Sequence, residues 1–186
     1  MKKNISLLLL SCTLFCSCNK VKELTQVEQD ISYTQTLDAS QFPDSLHYPY
    51  IPPGGVKVIF PEVAINTNSQ QYIQDNNTAV NKINSVKLKS IVLQMIQPQG
   101  KNLDFLSTAS FSIRADTLPS IMIVNAYSIP HNQRNVTLTG TTADLTKYFL
   151  QEKLYFLVTA TFDSIPPPGT QINAITTFHL SANPLN

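Results

Sequence analysis

Three histidines, His47, His131 and His179, are the residues best suited to acid–base or metal chemistry in this chain. A metal site on one element needs a second ligand at a spacing such as H-x-x-x-H or C-x-x-C, which returns two donors to one face. None of the three has such a companion. Each reads as a solvated or locally bonded side chain: His179 on the outward phase of a strand, His131 in a turn after Pro130, His47 in a loop. Nucleophilic hydrolysis needs a serine or cysteine on a strained turn beside a base, and neither G-x-S-x-G nor S-x-x-K occurs. Gly54-Gly55, after Pro52-Pro53, lack the spacing and the lysine of a phosphate-cradling loop. Eight aspartates and four glutamates offer many carboxylate pairs, and nothing in their placement selects one for glycosidic chemistry. The expectation is a protein without catalytic residues, metal or cofactor.

Composition narrows the partners. Thirteen Lys+Arg against twelve Asp+Glu leave a formal charge of +1, so no basic excess attracts phosphate backbones and no nucleic-acid partner is expected. With 186 residues, 42% apolar and 13% charged, the chain can bury one core and is too apolar to be disordered throughout.

The N-terminus carries the clearest signal. Met1-Lys2-Lys3 is followed by eleven mostly apolar residues, Ile5 to Phe15, and then Cys16-Ser17-Cys18. A basic start, a short apolar stretch and a small residue before the cut are the parts of a secretory signal peptide. A membrane-crossing helix needs about 20 apolar residues, roughly twice what is present. All three cysteines, Cys12, Cys16 and Cys18, lie in this segment, and the body has none to build a disulfide framework.

Here the segment resembles the signal peptide of bacterial lipoproteins, whose lipobox ends in a small residue followed by the acylated cysteine. Ser17-Cys18 fits that junction; Phe15 and Cys16 stand where leucine and a small residue are usual. The resemblance implies a signal peptide over 1–17, a diacylglycerol thioether and an N-acyl group on Cys18, and a membrane partner reached through that lipid. Several acyl chains together give a stable anchor where one would not. Asn19, in place of the aspartate that retains many lipoproteins at the inner membrane, leans toward the outer membrane.

A second pattern concerns chemistry done to the chain. Asp44-Ser45-Leu46, Asp116-Thr117-Leu118 and Asp163-Ser164-Ile165 each read aspartate, hydroxyl, aliphatic. They resemble an O-glycosylation sequon of some Gram-negative envelope proteins, which would place glycans on Ser45, Thr117 and Ser164. Asp-Ser and Asp-Thr also serve simply as turn residues, so both readings stand. The run from Phe42 to Pro53, stiffened by proline, reads either as an aromatic ridge for a sugar or protein, or as a crossover loop covering the core.

The elements that hold these residues are mostly strands. A polar stretch over 18–29 reads as anchor and tether, and the domain is expected over 30–186. Leu154, Phe156, Val158, Ala160 and Phe162 alternate with Tyr155, Leu157, Thr159 and Thr161, and Ile172, Ala174, Thr176, Phe178 and Leu180 fall on one face with Asn173, Thr177 and His179 among those on the other. Joined by Asp163–Thr170, rich in proline, they are expected to pair with each other as adjacent antiparallel strands. Val86 to Ile96 changes phase, which a bulge near Ser90 would reconcile. Pro61 interrupts Val56 to Ile65 and argues for an edge. Shorter runs lie at Ile31–Leu37, Phe111–Ala115, Ile121–Tyr127 and Val136–Leu138. Helices are expected after Thr141–Asp144, a capping-box pattern, and over Asn68–Val80.

Seven or eight strands with one or two short helices predict an antiparallel β-sandwich, immunoglobulin-like in the broad sense, with an open barrel as competitor. The function expected is a lipid-anchored cell-envelope module, binding or structural, whose partner is an envelope protein or a glycan. The alternative is a carrier of a lipid or other apolar molecule, with Val92, Met95, Ile121, Ile123 and Leu157 lining its cavity.

Overall fold

The computed structural model describes residues 27–38, 40, 42, 50–68 and 82–183. Its strands are β1 (Val27–Asp38), β2 (Val56–Ile59), β3 (Val63–Asn66), β4 (Ile83–Gln97), β5 (Leu106–Ala115), β6 (Leu118–Ala126), β7 (Asn135–Leu138), β8 (Lys153–Phe162) and β9 (Gln171–Ala182). One helical turn, α1 (Thr146–Phe149), precedes β8. One sheet runs β1-β9-β4-β7 and the other β2-β8-β5-β6, with β3 also pairing β8; every pairing is antiparallel. The two sheets face each other as an antiparallel β-sandwich.

Period-two alternation builds this arrangement, because each strand offers one apolar face and a single sheet cannot bury it alone. Along β8, Leu154, Phe156, Val158, Ala160 and Phe162 point inward; along β9, Ile172, Ala174, Thr176, Phe178 and Leu180 do the same. The expected pairing of these two strands is wrong. β8 lies in one sheet between β5 and the β2/β3 edge, while β9 lies in the other between β1 and β4. The link over 163–170 therefore crosses between the sheets. Alternation identifies a buried face, and two strands with buried faces can meet face to face as well as side by side.

The phase change in β4 has the expected cause. Its register against β9 shifts between Leu88 and Ser90, so the bulge at Lys89 lets Leu88 and Ile91 both point inward. Pro61 splits the predicted Val56–Ile65 run into β2 and β3, which both lie at the sheet edge beside β8. β1 is longer than expected and begins at Val27, so residues 27–29 belong to the first strand rather than to the tether.

The helix is one turn and starts later than the sequence pattern suggested. Leu145 precedes it without a side-chain cap. Thr141 Oγ1 instead accepts from the Ala143 amide at 3.1 Å and Asp144 Oδ1 from the Thr146 amide at 3.0 Å, so these residues shape a turn before the helix. Leu145, Tyr148 and Phe149 are buried as expected. The second expected helix, Asn68–Val80, falls almost wholly outside the described residues.

Two aromatic groups fill the core. Phe178 meets Phe149 edge-on with ring centres 5.3 Å apart and touches Tyr33 and Phe156, each at 6.2 Å. Phe162 stacks on Phe105 at 5.9 Å and packs against Phe42 at 5.4 Å. Burial pushes the Tyr33 phenol up to about 12, and its hydroxyl donates to the Thr67 carbonyl at 3.1 Å. Between the sheets, a void of about 10 Å³ lies among Leu37, Leu93, Phe111, Val158 and Ile172. That is room for about one water at most.

Replacing Phe178 with alanine is expected to cost about 3–5 kcal/mol by urea unfolding, whereas Thr177→Ala, on the outer face, should cost under about 1 kcal/mol. Equal losses would contradict the assigned faces.

Candidate functional site at the loop end of the sandwich

The strands give the domain two unlike ends. Val27 pairs with Ala182, and Ala182 also pairs with Ile83, so β1 begins where β9 ends and β4 begins. The Asp116-Thr117 turn and α1 lie at this end too, linked by Thr117 Oγ1 donating to Gln151 Oε1 at 3.1 Å and the Tyr148 hydroxyl donating to the Pro119 carbonyl at 2.8 Å. Four other connections gather at the opposite end: the turn before β2, and residues 98–105, 127–134 and 163–170. Backbone bonds lace them together, with the Leu103 amide donating to Gln133, Ile129 to Ser107 and Asp163 to Phe105.

A surface crevice of about 510 Å³ opens at this loop end, lined by Tyr50, Pro52, Pro53, Gly55, Ser107 and Asp163. Its size is ordinary for a small-ligand site. The wall is stiff. Gly55 donates its amide to the Pro52 carbonyl at 2.9 Å, and with φ at +80° a Cβ there would lie 2.6 Å from the Phe162 carbonyl oxygen. Tyr50 presents an exposed ring, and Phe42, from the same stretch of sequence, is buried in the core. Phe42 thus covers the core, as the crossover reading expects; residues 43–49 lie outside the described residues.

Chemically the crevice offers contact surface and acceptors. Asp163 contributes a carboxylate, and the Ser107 hydroxyl donates to the Thr161 carbonyl at 3.1 Å. Among the described residues no histidine lines it.

The residues singled out in sequence are spread over the molecule. Ser164 follows Asp163 at the rim of the crevice, exposed, its hydroxyl 3.2 Å from the Asp163 carboxylate. Thr117 is exposed in its turn at the other end. Cys18, Ser45 and His47 lie outside the described residues. His131 sits at the loop end, 3.8 Å from Asp104, whereas His179 is on the outer face of β9 toward the other end. The structure does not bring them together, and no group of three His, Cys, Asp or Glu among the described residues could hold a metal ion. The residues expected to line a cavity do not share one face. Val92 and Leu157 lie on the outward phase of their strands, while Met95 and Ile123 are ordinary core residues.

Two polar clusters escaped sequence reading. Arg114 on β5 grips Glu62 with two bonds of 2.6 and 2.5 Å and lies over the Tyr155 ring at 4.1 Å, with Asp116 at 4.0 Å. The Arg114 guanidinium holds the Glu62 carboxyl below its ordinary range. On the other sheet, His179 meets Glu28 and Asp30 of β1, and Lys89 of β4 pairs with Asp30. Glu28 and Asp30, two apart on one strand, share a face; only the β1–β9 register delivers them to His179.

No protein-family model matches the chain, and no curated protein matches it. Among solved structures, one described as the structure of infectious bursal disease virus Gt strain is similar with a TM-score of 0.39 and 8% identity, over 87% of this chain and 33% of that one. A decameric BFDV capsid protein gives a TM-score of 0.34 and 8% identity, over 84% and 97%. The chain thus spans about a third of the length of the first. Likeness at this level has no bearing on function.

Gly55→Ala is expected to lower stability by at least about 1 kcal/mol in thermal unfolding, because it meets both an unfavourable φ and a backbone oxygen. A neutral result would mean the crevice wall is free to move.

Proposed function

We propose that this chain is a lipid-anchored cell-envelope protein whose β-sandwich acts as a non-enzymatic binding or structural module. The anchor is Cys18 and the membrane is the outer one. The partner, an envelope protein or a glycan, is met at the loop end. One observation supports this reading above the rest: the chain enters the domain at Val27, and the crevice lies at the other end of β1. Twelve strand residues at about 3.3 Å each span about 40 Å. A lipid upstream of Val27 therefore leaves the loop end facing away from the bilayer, where a second molecule has access.

The same anchor explains why the cysteines are confined to the first eighteen residues. Among the described residues no helix is long and apolar enough to cross a membrane, so attachment falls to the acyl chains. Ser45, Thr117 and Ser164 are proposed acceptors of O-linked glycans; the exposure of Thr117 and Ser164 in turns gives a modifying enzyme access to both hydroxyls.

Cys18→Ala should move the protein from the membrane fraction to the soluble envelope fraction while its circular dichroism stays unchanged. Retention in membranes would sink the anchor. Intact mass of the protein from its own host should show hexose-like steps that fall away in a Ser45→Ala/Thr117→Ala/Ser164→Ala variant; a bare polypeptide mass would remove the glycan proposal and leave the anchor standing.

A further inference from the structure

On the outer face of the β1-β9-β4 sheet, His179 is held from both sides. Its Nε2 lies 2.6 Å from Glu28 Oε2 and its Nδ1 2.9 Å from Asp30 Oδ1. A carboxylate only accepts, so each contact requires an N–H on the ring. A neutral imidazole has one N–H and the imidazolium has two, so only the charged ring satisfies both neighbours. The carboxylates engage opposite nitrogens, which also means that no single metal ion could take the place of the proton between the ring and both acids.

Among the described residues, the charged groups that face the ring come from the flanking strands. From β1 come Glu28 and Asp30. From β4 come Lys87, directly opposite His179 in the ladder, and Lys89, which pairs with the second oxygen of Asp30. Thr177, the next outward residue on β9, is uncharged and bonds Ser32 of β1 at 2.9 Å. The two acids favour the charged ring.

We propose that this cluster is a proton-dependent clasp that ties the N-terminal half of β1 to the rest of its sheet. With two protons on the ring both acids are held. When one proton leaves, a nitrogen lone pair faces a carboxylate oxygen and one tie is lost. The strand so fastened is the one through which the chain enters the domain. Because β1 pairs only with β9 among the described residues, the clasp acts on an edge strand, where opening disturbs no second neighbour.

The direction in pH follows from the partners. The Asp30 hydrogen bond, with Glu28 beside it, raises His179 above its ordinary value of 6.5. The contribution is then fully present below about 6.5 and is lost as pH rises through the raised value. Lys89 first, and then His179, hold Asp30 below its ordinary value of 3.8. The clasp is closed in mildly acidic solution and loosens as pH rises through the raised value of His179.

The test compares amide hydrogen exchange of β1 in the full-length chain and in His179→Gln, each at pH 6 and pH 9. Glutamine keeps a neutral donor, and intrinsic exchange rates cancel in the ratio. Near the N-terminal half of β1 the variant should open about two- to fivefold more than wild type at pH 6, the range of exposed ion pairs, and no more than wild type at pH 9. A ratio that stays the same at both pH values would overturn the proposal and leave a merely structural histidine. Ring NMR of wild type should show His179 titrating above 6.5, with Asp30→Asn drawing it down; an ordinary titration, or one unmoved by that substitution, would also overturn it.

Discussion

Everything in this molecule hangs on the meeting of β8 and β9 across the core. Each strand is central in its own sheet, and each carries five inward residues at alternate positions. Their large rings, Phe156 and Phe162 from one side and Phe178 from the other, are the pieces around which Tyr33, Phe42, Phe105 and Phe149 assemble. Once those faces are pressed together, the outward faces carry Ser, Thr, Asn and charges, with apolar residues such as Val92, Leu157, Ile59 and Met122 among them. The void between the sheets among Leu37, Leu93, Phe111, Val158 and Ile172 holds about 10 Å³.

Much of this fold was legible from residue order. The inward residues of β8 and β9, the bulge in β4 and the break at Pro61 follow from steric and hydrogen-bonding rules that act within one strand. What could not be read was who sits beside whom. The link Asp163–Thr170 is as suitable for a hop between sheets as for a hairpin, because proline and glycine mark the end of a strand without choosing its next neighbour. The capping pattern at Thr141–Asp144 failed for a related reason: its polar groups found other partners, including the Val86 amide, which donates to Asp144 Oδ1 at 3.3 Å.

The polar clusters were harder still. His179 looked solitary because its partners are 149 and 151 positions away in the chain, and a spacing rule sees only one element at a time. Glu28 lay in what reads as a tether and Asp30 at the first position beyond it, since a polar stretch with few apolar residues resembles a linker. An edge strand can tolerate that composition, because its outward face meets water and the ladder to β9 secures its backbone. The exposed hydroxyls at Thr117 and Ser164 were visible in sequence as turn residues; their distribution to opposite ends of the domain was not.

The unbroken register of β1 against β9 has a mechanical consequence. Twelve consecutive residue pairs join the strands without a shift. A pull that enters at Val27 and is resisted at the far end of the sandwich runs along the strand axis. The hydrogen bonds across that ladder then bear the load side by side, in shear, and must give way together. A pull applied sideways at Val27 would instead undo them one after another, like a zip. The same strand is therefore strong against tension along its length and weak against being peeled, and the direction from which force arrives decides which of the two the domain displays.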